Sequence, residues 1–370
     1  MAVLRERREA EHRVAVTPNS VKKLLGIGLE VAIEAGAGMS VHHTDATYEQ
    51  AGARVMADAD AALEGAELVL VVQQPEAAEL ARIASGAVLI GLLDPMANKA
   101  DMAETAKIGI TAFSLEFLPR ISRAQSMDAL SSQSSLAGYR AVIDGAARFG
   151  RAFPLMMTAA GTIVPAKVFV MGAGVAGLQA IATAKRLGAV VSATDVRAAA
   201  SEQVESLGAS FVAPPAMEDA ETVGGYAKEL GDEMKRRQAE ITSETLTRMD
   251  VVICTALIPG HPAPVLIDED MVRTMKAGSV IVDLAVEQGG NCTLSKPGEV
   301  VEAHGVHIMG HRNVPSRIAV DASSQYAHNL LNFLTPLLKD GTFSIDWEDE
   351  IVQGTLITRG GKVVHPRLVG

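Results

Sequence analysis

Short apolar runs alternate with amphipathic stretches through the first third of the chain. Leu68–Val72 and Val88–Leu92 are almost wholly apolar, which is typical of parallel strands that are covered on both faces. Ala57–Leu63 and Glu76–Ile83, which lie before and between these runs, have the pattern of helices. This alternation predicts βαβ units and therefore an α/β domain.

A second α/β run begins near Lys167 and predicts a second domain of the same class. A helix over Leu136–Phe149 is expected to lead into it, and a long helix over Ala322–Asp340 is expected to return to the first domain before a short polar tail. The predicted elements of the second run are strands Val168–Met171, Val190–Thr194, Val251–Cys254, Ser279–Asp283 and Val306–Met309, and helices Ala176–Leu187, Ala198–Leu207 and Asp268–Thr274.

These patterns predict an α/β fold with two Rossmann-like domains, each built on a parallel sheet, and a cleft between them. Residues 1–130 together with 320–370 are predicted to form the N-terminal domain, and residues 131–319 the second domain. The length of 370 residues also favours two domains over a single core.

Two segments interrupt this rhythm. Leu118–Ser135 is polar, rich in Ser and poor in periodic apolar positions, so it is either a surface linker or a binding loop at the cleft. Residues 213–242 contain Pro214-Pro215, Gly224-Gly225 and many charges. A connection of this length without a clear strand is usually a lid or a mobile binding loop.

The composition is that of a soluble globular protein, with 48% apolar and 21% charged residues. A net charge of −11 disfavours nucleic acid as a partner, and Lys235-Arg236-Arg237 is interpreted as a solvated helix face. Met1–Arg8 is charged almost from its start, so no signal peptide is expected.

Ala159–Ala184 is the one stretch that resembles a membrane span, since Lys167 is its only charge. Because Pro165 and several glycines interrupt it, it is interpreted as strand, turn and helix. Cys254 and Cys292 have no paired spacing and are expected to be buried free thiols, as in a reducing compartment.

The strongest motif is the sequence VFVMGAGVAGLQAIATAKRLGAVVSATDVR, in which Gly172-x-Gly174-x-x-Gly177 follows an apolar strand and opens a helix. Such glycines permit a tight turn, a close approach of the backbone to a pyrophosphate, and close packing of helix on strand. The start of the helix then offers free N–H groups to the phosphates. This arrangement predicts a dinucleotide site.

Asp195 ends the next predicted strand, where the ribose-binding carboxylate of such a site is expected. It would accept hydrogen bonds from the ribose hydroxyls and repel a 2′-phosphate, so NAD is favoured over NADP. Arg197 weakens this argument slightly because a nearby cation attracts a phosphate.

Other motifs carry less weight. His304, His307 and His311 have spacings that suggest a metal, but a strand and a turn would place them on different faces, so no metal site is predicted. The sequence contains neither a G-x-S-x-G elbow nor a P-loop, and acyl and phosphoryl transfer therefore have no support.

Several strings resemble the family that contains alanine dehydrogenases and the NAD(H)-binding component of bacterial proton-translocating NAD(P)+ transhydrogenases. They span nearly the whole chain and read VLRERREAEHRVAVTP, RISRAQSMDALSSQ, GGYAKEL, TALIPGHPAPVLI and VDLAVEQGGNC. The transhydrogenase component in question is the separately encoded first segment of the α subunit.

The two branches of the family differ in the chemistry that they need. An alanine dehydrogenase needs a cation for the substrate carboxylate and a group that moves a proton; that branch has a Lys before Glu-Pro and a His after the next strand. Here the Lys position is Gln73 and no His lies near Leu92, although Arg13 remains. Transhydrogenation passes a hydride between two nicotinamides and needs neither group. An alanine dehydrogenase-like enzyme and a non-catalytic nucleotide-binding regulator stay as alternatives.

The resemblance also implies roles for individual residues. Gln125 would orient the nicotinamide, and Asp128 and Arg120 could pair to hold the loop; these three are the candidate catalytic residues. Tyr226, beside Gly225, would belong to a mobile loop that folds over the nucleotide. The implied NAD(H)-binding residues are Arg120, Ile121, Ser122, Gln125, Asp128, Leu130, Ser131, Gly172, Gly174, Val175, Gly177, Asp195, Val196, Arg197, Gly225, Tyr226 and, more weakly, Leu257.

The resemblance further implies a homodimer that works with other polypeptides. The partners would be the NADP(H)-binding domain of a β subunit and membrane-spanning subunits that carry the proton channel. The chain itself would be cytoplasmic and held peripherally on the inner face of the membrane by these partners. Catalysis, of the Si/Re-specific type, would require them, and the isolated chain would turn nothing over.

Overall fold

The computed structural model describes residues 1–213, 231–258 and 260–369. The chain divides into two compact units. The first unit consists of Met1–Gln133 and Ser316–Gly370, and the second of Ser134–Pro315. Each unit has its own sheet with helices packed on it, which confirms the predicted α/β class.

The N-terminal part of the first unit alternates short strands with helices. Thr17 begins the first helix with a capping box, in which Thr17 and Ser20 each bind the other's backbone N–H, and Pro18 follows the cap. The elements are β1 Ala2–Val3, α1 Pro18–Gly26, β2 Ala32–Glu34, α2 Asp45–Ala51, β3 Arg54–Met56, α3 Ala59–Leu63, β4 Leu68–Gln73, α4 Ala77–Leu80, β5 Val88–Leu92, α5 Lys99–Ile108 and β6 Thr111–Ser114.

A long helix, α6 Ala129–Arg148, leads from the first unit into the second. A small hairpin follows, and the α/β run begins after it. The further elements are β7 Met156–Thr158, β8 Gly161–Ile163, β9 Lys167–Met171, α7 Val175–Arg186, β10 Val190–Thr194, α8 Ala200–Ser206, β11 Ser210–Phe211, α9 Asp232–Leu246, β12 Val251–Cys254, α10 Glu269–Thr274, β13 Val280–Asp283, β14 Val300–Ala303 and β15 Val306–Met309.

The C-terminal part of the chain belongs to the first unit. Tyr326, Leu330 and Phe333 are buried in the core of that unit, so the predicted return of the C-terminal helix is confirmed. The elements are α11 Ala319–Leu334, β16 Leu338–Lys339, β17 Thr342–Phe343, α12 Glu350–Thr355, β18 Leu356–Arg359, β19 Lys362–Val363 and α13 Pro366–Val369.

The sheet of the first unit has the strand order β3-β2-β1-β4-β5-β6-β18-β19. Its first six strands are parallel, and the last two join β6 in antiparallel fashion. The parallel part has the order 3-2-1-4-5-6 of the Rossmann fold.

The sheet of the second unit has the order β11-β10-β9-β12-β13-β15-β14 and is parallel except for β14. The strand order reverses between β9 and β12, which are neighbours in the sheet. In open α/β sheets, ligands bind beyond the carboxyl ends of the strands at such a switch point. The loops that follow β9 and β12 therefore mark the expected nucleotide site.

Three predicted boundaries were wrong. The helix predicted from Leu136 begins at Ala129, because the preceding Asp128 caps it. The helix predicted to continue to Asp340 ends at Leu334, one turn before a hairpin, and Pro336 lacks the N–H that a continuing helix needs. The C-terminal segment predicted as a polar tail contains α12, β18 and β19.

The smaller predictions have clear outcomes. None of the described helices is long and apolar enough to cross a membrane, and 159–184 folds as strand, turn and helix, as predicted. Cys254 and Cys292 are free and buried, as predicted. Arg236 and Arg237 are exposed on α9 and pair with Glu233, which confirms the solvated helix face. His304 lies against Glu269, whereas His307 lies against Arg148.

Candidate functional site

The glycine loop of the second unit follows β9 and leads directly into α7. Gly172 has a φ of 100°, which side chains rarely adopt, so the turn out of β9 requires glycine. A Cβ on Gly177 would lie 1.8 Å from the carbonyl oxygen of Gly172, so the helix and the turn can approach this closely only without a side chain. A Cβ on Gly174 would meet no described atom within 4 Å, which leaves open space beside the loop.

The start of α7 is suited to hold an anion. Gly174 is the N-cap residue, and the helix begins at Val175. Because Gly174 has no side chain, it caps none of the first N–H groups of the helix. Such N–H groups, together with the positive end of the helix dipole, bind phosphate. The residues present therefore fit the pyrophosphate of a dinucleotide.

Asp195 directly follows β10 and is 9% exposed. Its carboxylate accepts hydrogen bonds from the N–H of Ala173 in the glycine loop at 2.7 Å, and from the backbone N, Nε and Nη2 of Arg197, each at 2.9 Å. Burial alone would raise the pKa of Asp195, but the hydrogen bonds from Arg197 and Ala173 hold the pKa below its ordinary value. The group is therefore an ionised acceptor at neutral pH, and a ribose would share it with Arg197.

The loop after β12 lies beside the glycine loop. The N–H of Thr255 donates to the carbonyl oxygen of Met171 at 2.8 Å, and its hydroxyl donates to that of Gly172 at 2.9 Å. Leu257 follows two residues later and is 39% exposed, and Val175 at the start of α7 is 44% exposed. The second unit therefore brings the loops after β9, β10 and β12 together at one edge of its sheet, with apolar side chains available beside them.

The loop over Arg120–Ser131 belongs to the first unit and is ordered. Ser122–Met127 form a 3-10 helix whose residues Ala124 and Met127 are buried in the core. Buried residues therefore fix the backbone, while polar side chains remain on the outside. Of the predicted site residues, Arg120, Ser122, Gln125 and Leu130 are exposed, and Ile121, Asp128 and Ser131 are partly buried.

Asp128, which was predicted to pair with Arg120, is the residue before α6. Its carboxylate accepts hydrogen bonds from the N–H of Ser131 at 2.8 Å and from the Ser131 hydroxyl at 2.5 Å. This is the geometry of an N-cap residue that binds the third residue of its helix. Asp128 and Ser131 therefore fix the junction between the loop and α6.

The C-terminal segment anchors the same loop, and the sequence did not reveal the residues that do so. Asn329 and Asn332 on α11 both donate to the carbonyl oxygen of Ser126, at 3.0 and 2.9 Å. Arg123 binds both carboxylate oxygens of Asp349 at 2.7 Å, just before α12. These contacts hold the loop that carries Gln125. Asn residues on an amphipathic helix gave no signal, because their partner lies about 200 residues away in sequence.

Two of the predicted site residues, Gly225 and Tyr226, lie outside the described residues. Of the predicted mobile loop over 213–242, the structure describes residue 213 and residues 231–242, the latter being Gly231 and most of α9. The assignment of the loop to the nucleotide therefore stays a prediction from the resemblance.

Two family models match the chain and together cover most of it. The model "Alanine dehydrogenase/PNT, N-terminal domain" matches residues 2–137, and "Alanine dehydrogenase/PNT, C-terminal domain" matches residues 141–366. The chain belongs to the alanine dehydrogenase/PNT family. The family resemblance predicted from the sequence strings is confirmed.

Individual members of the alanine dehydrogenase/PNT family match along almost the full chain. The first of the separately encoded parts of NAD(P) transhydrogenase subunit alpha from Rhodospirillum rubrum is 58% identical, over 100% of this chain and 99% of its own length. The structure of a transhydrogenase from Sinorhizobium meliloti is 49% identical, with a TM-score of 0.87, and covers 99% of this chain and 98% of its own. An L-alanine dehydrogenase structure is 26% identical, with a TM-score of 0.83, and covers 99% of this chain and 97% of its own.

Arg13 is the basic residue that the alanine dehydrogenase branch of the family would use for a substrate carboxylate. It is 5% exposed. Its Nε and Nη2 donate to Glu11 at 2.8 and 2.6 Å, and its Nη1 donates to Gln133 at 2.8 Å. Gln73, at the predicted Lys position, donates to the same Glu11 at 2.7 Å. The chain's own carboxylate therefore occupies the place where a substrate carboxylate would have to bind.

Glu6 and Glu116 of the first unit are enclosed carboxyls close to this cluster. Burial and the nearby Glu11 raise the pKa of Glu6 to about 8, although the N–H groups of Val72 and Gln73 donate to it. Burial raises the pKa of Glu116 to about 7, against the effect of its hydrogen bond from Ser114. Both groups hold a proton in the folded protein at a pH where the unfolded chain has lost it.

These raised pKa values predict that stability falls as pH rises. The unfolded carboxyls ionise near 4.5, so the folded state binds more protons from there up to about 8, and each rise in pH within this window favours unfolding. We expect the Tm to fall between about pH 6 and about pH 9, and Glu6→Gln, which cannot ionise, to reduce that fall. Thermal unfolding at both pH values checks this. Glu202→Gln, on the surface of α8, is the control and should keep the wild-type slope; an unchanged slope in Glu6→Gln would contradict the account.

Proposed function

We propose that this chain is the NAD(H)-binding component of a proton-translocating NAD(P)+ transhydrogenase. In this role it presents NADH to NADP+ that is bound on the NADP(H)-binding domain of a β subunit. Membrane-spanning subunits couple the hydride transfer to proton translocation, and the chain lies in the cytoplasm on the inner face of the membrane. The relatives named as transhydrogenases, at 58% and 49% identity, support this proposal.

The observation that carries the proposal is the pairing of Arg13 with Glu11. An amino-acid dehydrogenase needs a cation that is available to its substrate and a group that exchanges a proton with it. Arg13 already binds Glu11, Gln73 replaces the Lys, and Leu93, 0% exposed, belongs to the core where the other branch has a His nearby. Hydride transfer between two nicotinamides needs none of these groups, because no substrate proton moves.

The residues of the two units then divide the work. NADH, when bound, supplies the hydride. The glycine loop and the start of α7 hold its pyrophosphate, and Asp195 and Arg197 hold the adenosine ribose. The Arg120–Ser131 loop holds the nicotinamide end, with Gln125 setting its orientation. This assignment follows the family resemblance and is supported by the hydrogen bonds that fix each loop.

A direct assay separates this proposal from the two alternatives. The purified chain is mixed with an NADP(H)-binding partner domain, and hydride transfer between NADH and an NADP+ analogue is followed. The chain alone is assayed with alanine and with pyruvate plus ammonia. We expect turnover only in the mixture. Turnover of alanine or pyruvate by the chain alone would identify an amino-acid dehydrogenase, and NADH binding without turnover in either assay would identify a regulator.

We also propose that the chain forms a homodimer through the β7–β8 hairpin. The hairpin is a separate two-stranded sheet, and all six of its strand residues are exposed. Met157 is 80% and Ile163 39% exposed, and residues 152–166 carry no charge. An isolated hairpin with free edges is marginal in water. Because a chain of charge −11 repels its copies, an uncharged apolar patch is the surface best suited to a second copy related by a two-fold axis.

The dimer is tested by placing a charge on this hairpin. Met157→Asp is expected to convert a dimer into a species of 38.7 kDa, because two carboxylates would be buried symmetrically in the interface. Mass measurement by light scattering checks this. Val300→Asp, at a residue on β14 that is 44% exposed, is the matched control and should leave the mass unchanged. A Met157→Asp protein with the wild-type mass would exclude the hairpin.

A further inference from the structure

Asn291 lies in the loop that follows β13 in the second unit and is 0% exposed. Its Oδ1 accepts from the N–H of Ala256 at 3.1 Å, and its Nδ2 donates to the carbonyl oxygens of Ala256 at 2.9 Å and Pro264 at 2.8 Å. The side chain therefore pairs with both backbone groups of Ala256, as a neighbouring strand would. Only a primary amide offers an acceptor and two donors on one short side chain.

The backbone of Asn291 is itself fixed to the sheet. Its N–H donates to Asp283 at 2.8 Å, and its carbonyl oxygen accepts from the N–H groups of Leu266 and Ile267 at 2.8 and 3.0 Å. Asp283 ends β13, is 1% exposed and accepts from two further backbone N–H groups and from the hydroxyl of Ser295. The Asn291 amide therefore presents its hydrogen-bonding groups from a rigid position.

Ala256, which Asn291 binds, connects two parts of the nucleotide site. Thr255 before it donates to the carbonyl oxygen of Gly172, and Leu257 after it is exposed beside the glycine loop. The described residues from 255 to 266 form neither helix nor strand, and Pro262 and Pro264 have no N–H with which to tether the loop. Side-chain hydrogen bonds must therefore supply the tethers that regular structure would provide.

We propose that Asn291 is a positioning residue for NAD(H) binding. It acts through Ala256 and holds Thr255 and Leu257 in place against the glycine loop, so that the loop loses no further entropy by ordering when the nucleotide binds. This inference rests on the proposed NAD(H) site. Without the Asn291 amide, the buried carbonyl oxygens of Ala256 and Pro264 lose their donor, and the loop is expected to move away from its bound position.

The test uses the full-length chain, with NADH affinity as the main readout. Asn291→Asp keeps the acceptor for Ala256 but replaces both donors with a negative charge that faces two carbonyl oxygens. We expect its Kd for NADH to rise by about tenfold or more, and the amides of 255–258 to exchange hydrogen faster, while the β13 amides keep wild-type exchange. Ser279→Ala is the matched control: it removes a buried hydrogen bond, from Ser279 to Met249 at 3.2 Å, at the opposite end of β13. Its Kd should stay at the wild-type value.

Asn291→Ser, which keeps one hydroxyl donor, is the second variant and decides the result if Asn291→Asp does not fold. It should show an intermediate Kd. A folded Asn291→Asp or Asn291→Ser protein whose Kd for NADH lies within about twofold of wild type would overturn the inference alone. Failure of the wild-type chain to bind NADH would overturn the proposed function, and the inference with it.

Discussion

Shortening Gln125 to Asn is expected to slow hydride transfer by more than about tenfold while the affinity for NADH stays within a few-fold of wild type. Gln125 is exposed on a 3-10 helix whose buried neighbours Ala124 and Met127 fix the backbone. Asn329 and Asn332 also hold the carbonyl oxygen of the next residue. The backbone therefore cannot follow a side chain that is shorter by one methylene, and the nicotinamide loses its orientation but not its binding.

Rapid mixing of the variant with the NADP(H)-binding partner domain measures the hydride-transfer rate, and an NADH titration measures the affinity. Gln203→Asn makes the same chemical change at an exposed position on α8 and should leave both values unchanged. A Gln125→Asn protein with the wild-type transfer rate would remove Gln125 from its proposed role. A large loss of NADH affinity would instead make Gln125 a general binding residue.

Replacing Asp195 by Ala is expected to raise the Kd for NADH by about tenfold or more, while the hydride-transfer rate at saturating NADH changes little. The carboxylate is the acceptor for the ribose hydroxyls, and it also binds the N–H of Ala173 in the glycine loop at 2.7 Å. Its removal also frees the Arg197 guanidinium from its charge-assisted hydrogen bonds to Asp195. We therefore expect the preference for NADH over NADPH to shrink, because Arg197 becomes available to a 2′-phosphate.

Asp250→Ala is the matched control for Asp195. Asp250 is 4% exposed, pairs with Lys276 at 2.8 Å and precedes β12, at the opposite edge of the same sheet. Its loss should lower the Tm but leave NADH affinity unchanged. Calorimetric titration with NADH and with NADPH measures both affinities. If Asp195→Ala binds NADH as tightly as the wild type, the ribose assignment is wrong.

The features predicted well from the sequence are those that neighbouring residues determine. The runs at 68–72 and 88–92 became β4 and β5, because apolar residues at this length and spacing can be buried only in a covered sheet. The strand, glycine turn and helix over 167–186 were likewise predicted, because the turn itself requires Gly172 and Gly177. A local pattern therefore identified the sheet that carries the nucleotide site.

The features that were missed depend on residues far apart in the chain. The segment predicted as a polar tail forms β18 and β19, whose place in the sheet depends on pairing with β6. Asn329 and Asp349 anchor the Gln125 loop only after the chain has returned to the first unit. Asn291 was missed for the same reason, since nothing in the string GGNC shows that its amide binds Ala256.

The most direct test of the central claim follows a hydrogen isotope from one nucleotide to the other. NADH carrying deuterium at both C4 positions is mixed with this chain, the NADP(H)-binding partner domain and NADP+, and the NADPH formed is analysed by mass spectrometry. Direct hydride transfer predicts that each NADPH gains one deuterium and that none exchanges with water. NADPH without deuterium, or no NADPH at all, would contradict the account.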